Sequence, residues 1–134
     1  MTDAIDALRS LVAMLPDLEA DGASFGEMIP MRRAGKNWAL PRFDFNKTGE
    51  RFHSLGHVVG NGLSADDWKA WEREADCAAF LVNGSLPASV SLVDVRHLLV
   101  SIVQRERFCE GAMQSALDAG LVGSVVRRAA ALLS

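Results

Sequence analysis

The sequence predicts an α+β fold, predominantly helical, with five or six helices and one small β-hairpin. Three observations carry that expectation. Apolar residues recur at helical spacing over most of the chain, period-two alternation is confined to the stretch from Phe25 to Phe45, and one nearly all-apolar run stands in the last third. A chain of 134 residues lies near the commonest domain size, so a single domain spanning residues 1–134 around one core is expected.

Thr2 is placed to cap a first helix in which Ile5, Leu8, Val12 and Leu15 share one face and Asp3, Asp6, Arg9 and Ser10 the other. Pro16 disfavours helix at the residue before it, so the helix should end near Leu15, with a loop from Leu18 to Ser24. Phe25 to Arg33 and Asn37 to Phe45 read as strands joined across Ala34-Gly35-Lys36. Trp38 and Leu40 alternate in one phase and Phe43 and Phe45 in the other. Pro41 between them points to an edge position or a bulge.

Asn46 to Thr48 offers caps for a helix with Phe52, Leu55 and Val59 on its apolar side and Glu50, His53 and His57 opposite, ending at Gly60-Asn61-Gly62. Ser64 with Asp67 begins another, whose stripe is Trp68, Trp71, Ala75, Ala78 and Val82; it stops at Asn83-Gly84-Ser85-Leu86-Pro87. Ser91 with Asp94 forms a capping-box-like start to the central helix, where Leu98, Leu99, Ile102 and Val103 belong to a broad apolar arc. Asp94, His97, Ser101, Gln104 and Arg105 form its narrow polar stripe. A helix apolar over most of its circumference is buried, which sets Leu99 and Ile102 near the middle of the core. Gly111 marks a bend, Met113 and Leu117 continue a helical pattern to Gly120, and a last helix carries Val122, Val126, Ala129 and Leu133 on one face with Arg127 and Arg128 near its end.

Composition narrows the function classes. Hydrophobic residues at 49% and charged residues at 23% match ordinary globular usage. A net charge of −3 gives no general phosphate-neutralising surface, which makes nucleic acid an unfavoured partner. No apolar run reaches the roughly 18 residues of a membrane span, and Asp3 stands where a secretory signal carries base, so a cytoplasmic protein without a membrane partner is expected. Cys77 and Cys109 both fall in helical apolar patterns, as reduced structural thiols do.

Phe25-Gly26-Glu27 opening the hairpin, Leu40-Pro41-Arg42-Phe43-Asp44-Phe45 closing it, Trp68-x-x-Trp71 and Arg107-Phe108-Cys109-Glu110-Gly111 together resemble a bacterial family known only as domain of unknown function 6508. The resemblance implies a small, mainly helical fold over most of the chain. It brings no catalytic residue and no cofactor.

Three constellations could carry chemistry. Cys109, with Arg105 and Arg107 beside it, is a candidate nucleophile and His97 its candidate base, but twelve residues of straight helix separate them by about 18 Å. A buried structural thiol is the ordinary role for such a cysteine. His53 and His57 at i and i+4, with Glu50 a turn earlier, have a spacing that can serve a metal; lacking the glutamate of H-E-x-x-H and a second ligand cluster, they read first as solvated histidines, and no metal is expected. No glycine motif for phosphate binding occurs. Trp68 and Trp71 read as core rather than as a stacking platform, and Arg127-Arg128 as a solvated helix end.

Arg107 falls inside the apolar arc, and a buried guanidinium needs its donors filled, so Glu110 three residues on is its expected partner, with Glu27 and Asp44 at the hairpin as alternatives. The functional expectation is a small protein-interaction module, a regulator, adaptor or inhibitor of the kind phages and mobile elements encode, with Arg105, Arg107 and Glu110 in its binding stretch. The alternative is a hydrolase or transferase using Cys109 and His97, or a metal at His53 and His57.

Overall fold

A computed structural model describes residues 3–63, 65–72, 86 and 89–134. Among them are seven helices and one antiparallel hairpin: α1 (Ala4–Ala13), α2 (Leu15–Leu18), β1 (Gly26–Ile29), β2 (Arg32–Ala34), β3 (Asn37–Ala39), β4 (Arg42–Phe45), α3 (Lys47–Val59), α4 (Ala65–Glu72), α5 (Leu92–Phe108), α6 (Ala112–Asp118) and α7 (Leu121–Leu133). The helix-dominated α+β architecture is the one expected from the sequence. The helix beyond six is α2, a single turn where a helix end and loop were expected. Pro16 sits in its first positions, where a missing N–H costs nothing. The cap of α1 is Asp3, whose carboxylate accepts from the Asp6 N–H at 2.8 Å. Thr2, Ser64, Cys77, Ala75, Ala78, Val82 and the link at 83–85 and 87, as well as the Trp68 side chain, lie outside the described residues.

The hairpin is two short ladders in one register. β1 pairs with β4 from Gly26–Phe45 to Ile29–Arg42, and β2 with β3 from Arg32–Ala39 to Ala34–Asn37. Carried across the gap, that register sets Pro30 opposite Pro41. Two prolines facing each other supply no N–H to a ladder, so pairing lapses there without a shift of register. The bulge that Pro41 suggested does not form. At the tip, Gly35 takes φ +64 as the first of two turn residues, the position a type II′ turn reserves for glycine.

α5 is the central element. Its capping box is complete: the Asp94 N–H donates to the Ser91 hydroxyl at 3.2 Å, and the Ser91 N–H to the Asp94 carboxylate at 3.1 Å. Val95, Leu98, Leu99, Ile102 and Val103 are buried, and α5 packs on α3, α6 and α7, while α1 packs on α3 and α7. Two members of the polar stripe, His97 and Ser101, are buried, and so is Glu106 outside it. Trp71 of α4 stacks on His97 with ring centroids 5.3 Å apart and donates its indole N–H to Asp94 at 3.1 Å. Burial pushes the Asp94 carboxyl up, but the Ser91 N–H, the Trp71 indole, the Ser91 hydroxyl and His97 together hold it below the usual aspartate value.

Candidate functional site

The stretch that joins α5 to α6 also anchors the hairpin. Gly111 adopts φ +90, a left-handed conformation suited to glycine, and turns the chain between the helices. Glu106, in the last turn of α5, sends its carboxylate across the Gly111 turn and accepts from the Gly111 N–H at 2.6 Å and the Met113 N–H at 3.0 Å. It therefore caps α6, which has no cap from its own preceding residue. Glu110 accepts from the Phe43 N–H of β4 at 2.7 Å, and Gln114 accepts from the N–H of Phe25, the residue before β1, at 2.8 Å. Both strands of the hairpin are thus held by side chains of one junction. On the other side of the hairpin, Phe25 stacks on Phe52 of α3 at 4.7 Å, and Gly49 admits the Phe25 carbonyl against the helix backbone.

Beside this junction runs a groove between α3 and α5. One cavity of about 430 Å³ lies under the hairpin, lined by Phe43, Phe45, His53, Glu106 and Glu110; a second of about 390 Å³ continues toward Lys69 and Phe108. The two share His57, Val103, Gln104 and Arg107. The helices come close here because Gly56 has no side chain: a Cβ on it would stand 2.5 Å from a Val103 methyl. Inside the groove the Nε2 atoms of His53 and His57 are 3.3 Å apart, and the His53 ring lies against Phe45 at 5.5 Å. Burial first, and then His57, holds the His53 imidazole below its usual value, against the opposing influence of Glu106.

Several expected roles change in this geometry. α5 runs unbroken through His97 to Phe108, so all of the helix beyond His97 separates it from Cys109; the thiol is exposed while His97 is buried against Trp71. Cys109 is therefore not the buried thiol its helical pattern suggested, because the helix ends at Phe108 and Cys109 leaves it in an extended conformation, φ −144 and ψ 97. Arg107 is exposed and stacks over the neighbouring Phe108 ring at 5.8 Å. Its expected pairing with Glu110 does not form, since Glu110 turns to the hairpin and the last turn of α5 presents Arg107 to the groove's edge. Arg105 is exposed as well. Among the described residues no three of His, Cys, Asp and Glu gather closely enough to hold a metal, and Glu50 is exposed without joining His53 and His57.

The sequence matches a family of unknown function, DUF6508, over residues 5–134. The chain belongs to that family. No curated protein and no solved structure matches it.

Three anchoring residues of this DUF6508 chain gave little warning in the sequence. Arg96 donates to the Val59 carbonyl at 3.1 Å and the Asn61 carbonyl at 2.6 Å, closing the C-terminus of α3, and Arg128 donates to the Val90 carbonyl at 2.9 Å instead of ending a solvated helix. Glu106 is the third. The signal that was legible is in the hairpin: between Glu27 and Asp44 stand four cations, Arg32, Arg33, Lys36 and Arg42, and no acid. The other ten cations of the chain face all seventeen acids. By strand alternation the face turned away from the core carries Met31, Arg33, Trp38 and Leu40 toward the tip, all exposed, Trp38 at 62% and Leu40 at 78%, and Glu27, Ile29, Arg42 and Asp44 nearer the base, where Arg42 pairs with Asp44 at 3.1 Å. No helix among the described residues is long and apolar enough to cross a membrane.

Proposed function

We propose that this chain is a small cytoplasmic protein-interaction module, a regulator, adaptor or inhibitor of the kind phages and mobile elements encode, and that it docks the outer face of its hairpin on an acidic surface of another protein. The observation that carries the reading is the coincidence on that face of three large exposed apolar side chains, Met31, Trp38 and Leu40, with the exposed cation Arg33, Arg42 beyond them being paired to Asp44. Exposed apolar area rimmed by charge is the usual composition of a recognition surface, and a central Trp is the residue type that most often supplies its binding energy. Met31 and Leu40 favour a protein partner over a nucleic acid, because aliphatic side chains offer bases no stacking. The net charge of −3 opposes a polyphosphate at longer range.

The test uses a photo-crosslinking amino acid at Leu40 in the native host, with mass spectrometry of the adducts. A single protein crosslinked through an acidic segment, and lost when Trp38→Ala and Arg33→Glu are introduced, supports the reading. Trp38 is exposed, so its replacement leaves the fold intact and loss of the adduct reports binding. Adducts to nucleic acid with steep salt dependence, or protein adducts indifferent to both substitutions, would overturn it. The hydrolase or transferase reading is less favoured, since an unbroken α5 runs between His97 and Cys109; its other candidates are the two histidines of α3.

A further inference from the structure

We propose that His53 and His57 form a site for a divalent first-row transition ion of the zinc class, with its remaining coordination positions open to the groove between α3 and α5. The i, i+4 spacing sets the two imidazoles one above the other on α3, and their Nε2 atoms approach to 3.3 Å with the ring planes 79° apart. Two nitrogens each about 2.0–2.1 Å from a tetrahedral zinc stand about 3.3–3.4 Å apart, so the observed separation is the bite of that ion. His57 is exposed and has open solvent to turn into, yet its Nε2 lies within 3.3 Å of that of its neighbour.

The surroundings suit a cation held by nitrogen. Phe45 packs on the His53 ring and limits its rotation, while Glu106 and Glu110 line the same cavity and make its potential more negative, with Arg107 opposing them at the rim. Imidazole ligands select zinc, copper or nickel over magnesium and calcium, which require oxygen. Two protein ligands leave positions for water or for a donor atom of a molecule lying in the 430 Å³ cavity, so the ion is exchangeable and open rather than a structural ion in a closed cage. The competing account is a hydrogen bond in which one neutral imidazole donates to the other.

Titration calorimetry with zinc chloride, paired with cobalt(II) visible absorption, separates the two. The expected result is one saturable zinc per chain, with the intense visible bands of tetrahedral cobalt, and a loss of affinity of about tenfold or more in both His53→Ala and His57→Ala, since removing a ligand costs at least what removing an outer partner does. The Cys109→Ser variant should bind like the parent. His57 is exposed, so its variant keeps the parental melting curve and binding is read on a folded chain. Absence of saturable zinc binding in the parent, or binding that survives both histidine substitutions, or binding abolished by Cys109→Ser alone, would each overturn the assignment. None of these outcomes depends on whether the hairpin finds a protein partner.

Discussion

Glu106 holds two backbone N–H groups at once, at 2.6 and 3.0 Å, from a position only 8% exposed. Those donors belong to the first turn of α6, where helix geometry leaves N–H groups without partners, and a carboxylate there also meets the favourable end of the helix dipole. The next residue, Arg107, makes the opposite kind of contact, an exposed cation over an exposed Phe108 ring. Their energetic weights follow. Each hydrogen bond to a charged group is worth about 1.5–3 kcal/mol, so Glu106→Ala should cost about 2–4 kcal/mol after partial relaxation of the turn. Arg107→Met should stay within about 0.5 kcal/mol of the parent, as surface changes do. Urea denaturation of both variants checks the pair; an Arg107 variant as damaged as the Glu106 one would mean that the guanidinium has a structural partner after all.

At the scale of elements, the packing of α3 on α5 turns on the absence of one side chain. A Cβ at Gly56 would stand 2.5 Å from a Val103 methyl, closer than carbon atoms approach, and Val103 is only 1% exposed and has little room to move. Gly56→Ala should therefore cost about 1–3 kcal/mol through overpacking, despite the gain in helix propensity. Gly56→Ala with Val103→Ala should recover part of the loss; a thermal melt in which the double variant is no better than the two losses added would place the strain elsewhere. This close approach also explains what the sequence made legible and what it did not. The apolar periodicity of Leu98, Leu99 and Ile102 located the central helix, Ser91 and Asp94 its start, and alternation set Phe43 and Phe45, which pack on the core, in one phase of β4, because each is a local pattern with a local cause. Arg107 was misplaced because the wheel continues inward only while α5 stays packed, and the packed face ends at Glu106. The groove and the Glu106 cap depend on where two helices meet, a relation between residues about 50 apart in the chain for one and across a glycine turn for the other; no periodicity within one helix encodes it.

Over the whole molecule, charge is sorted by region. The hairpin carries four cations, and its two acids, Glu27 and Asp44, lie at its base with Asp44 paired to Arg42, which leaves Arg32, Arg33 and Lys36 toward the tip while the chain as a whole is at −3. The potential at the tip is therefore positive against a negative body, within the roughly 8–10 Å over which charge is felt at ordinary ionic strength. Trp38 sits in that region at 62% exposure, whereas Trp71 is buried at 7% and stacked on His97. An anionic quencher is concentrated around Trp38 and a cationic one is repelled from it, and neither reaches Trp71. In a Trp68→Phe background, which leaves only these two indoles, fluorescence should accordingly be quenched more steeply by iodide than by caesium at low salt, and the difference should shrink as potassium chloride is raised toward 1 M, where screening acts over about 3 Å. Trp38→Phe should remove most of the iodide-sensitive emission, and Arg33→Glu with Lys36→Glu should reverse the preference between the two ions while leaving the melting temperature within a few degrees, since both cations are exposed on the hairpin. Equal quenching by the two ions in the Trp68→Phe chain would mean that the acids of the body lie close enough to neutralise the tip, and the electrostatic half of the docking argument would fall with it.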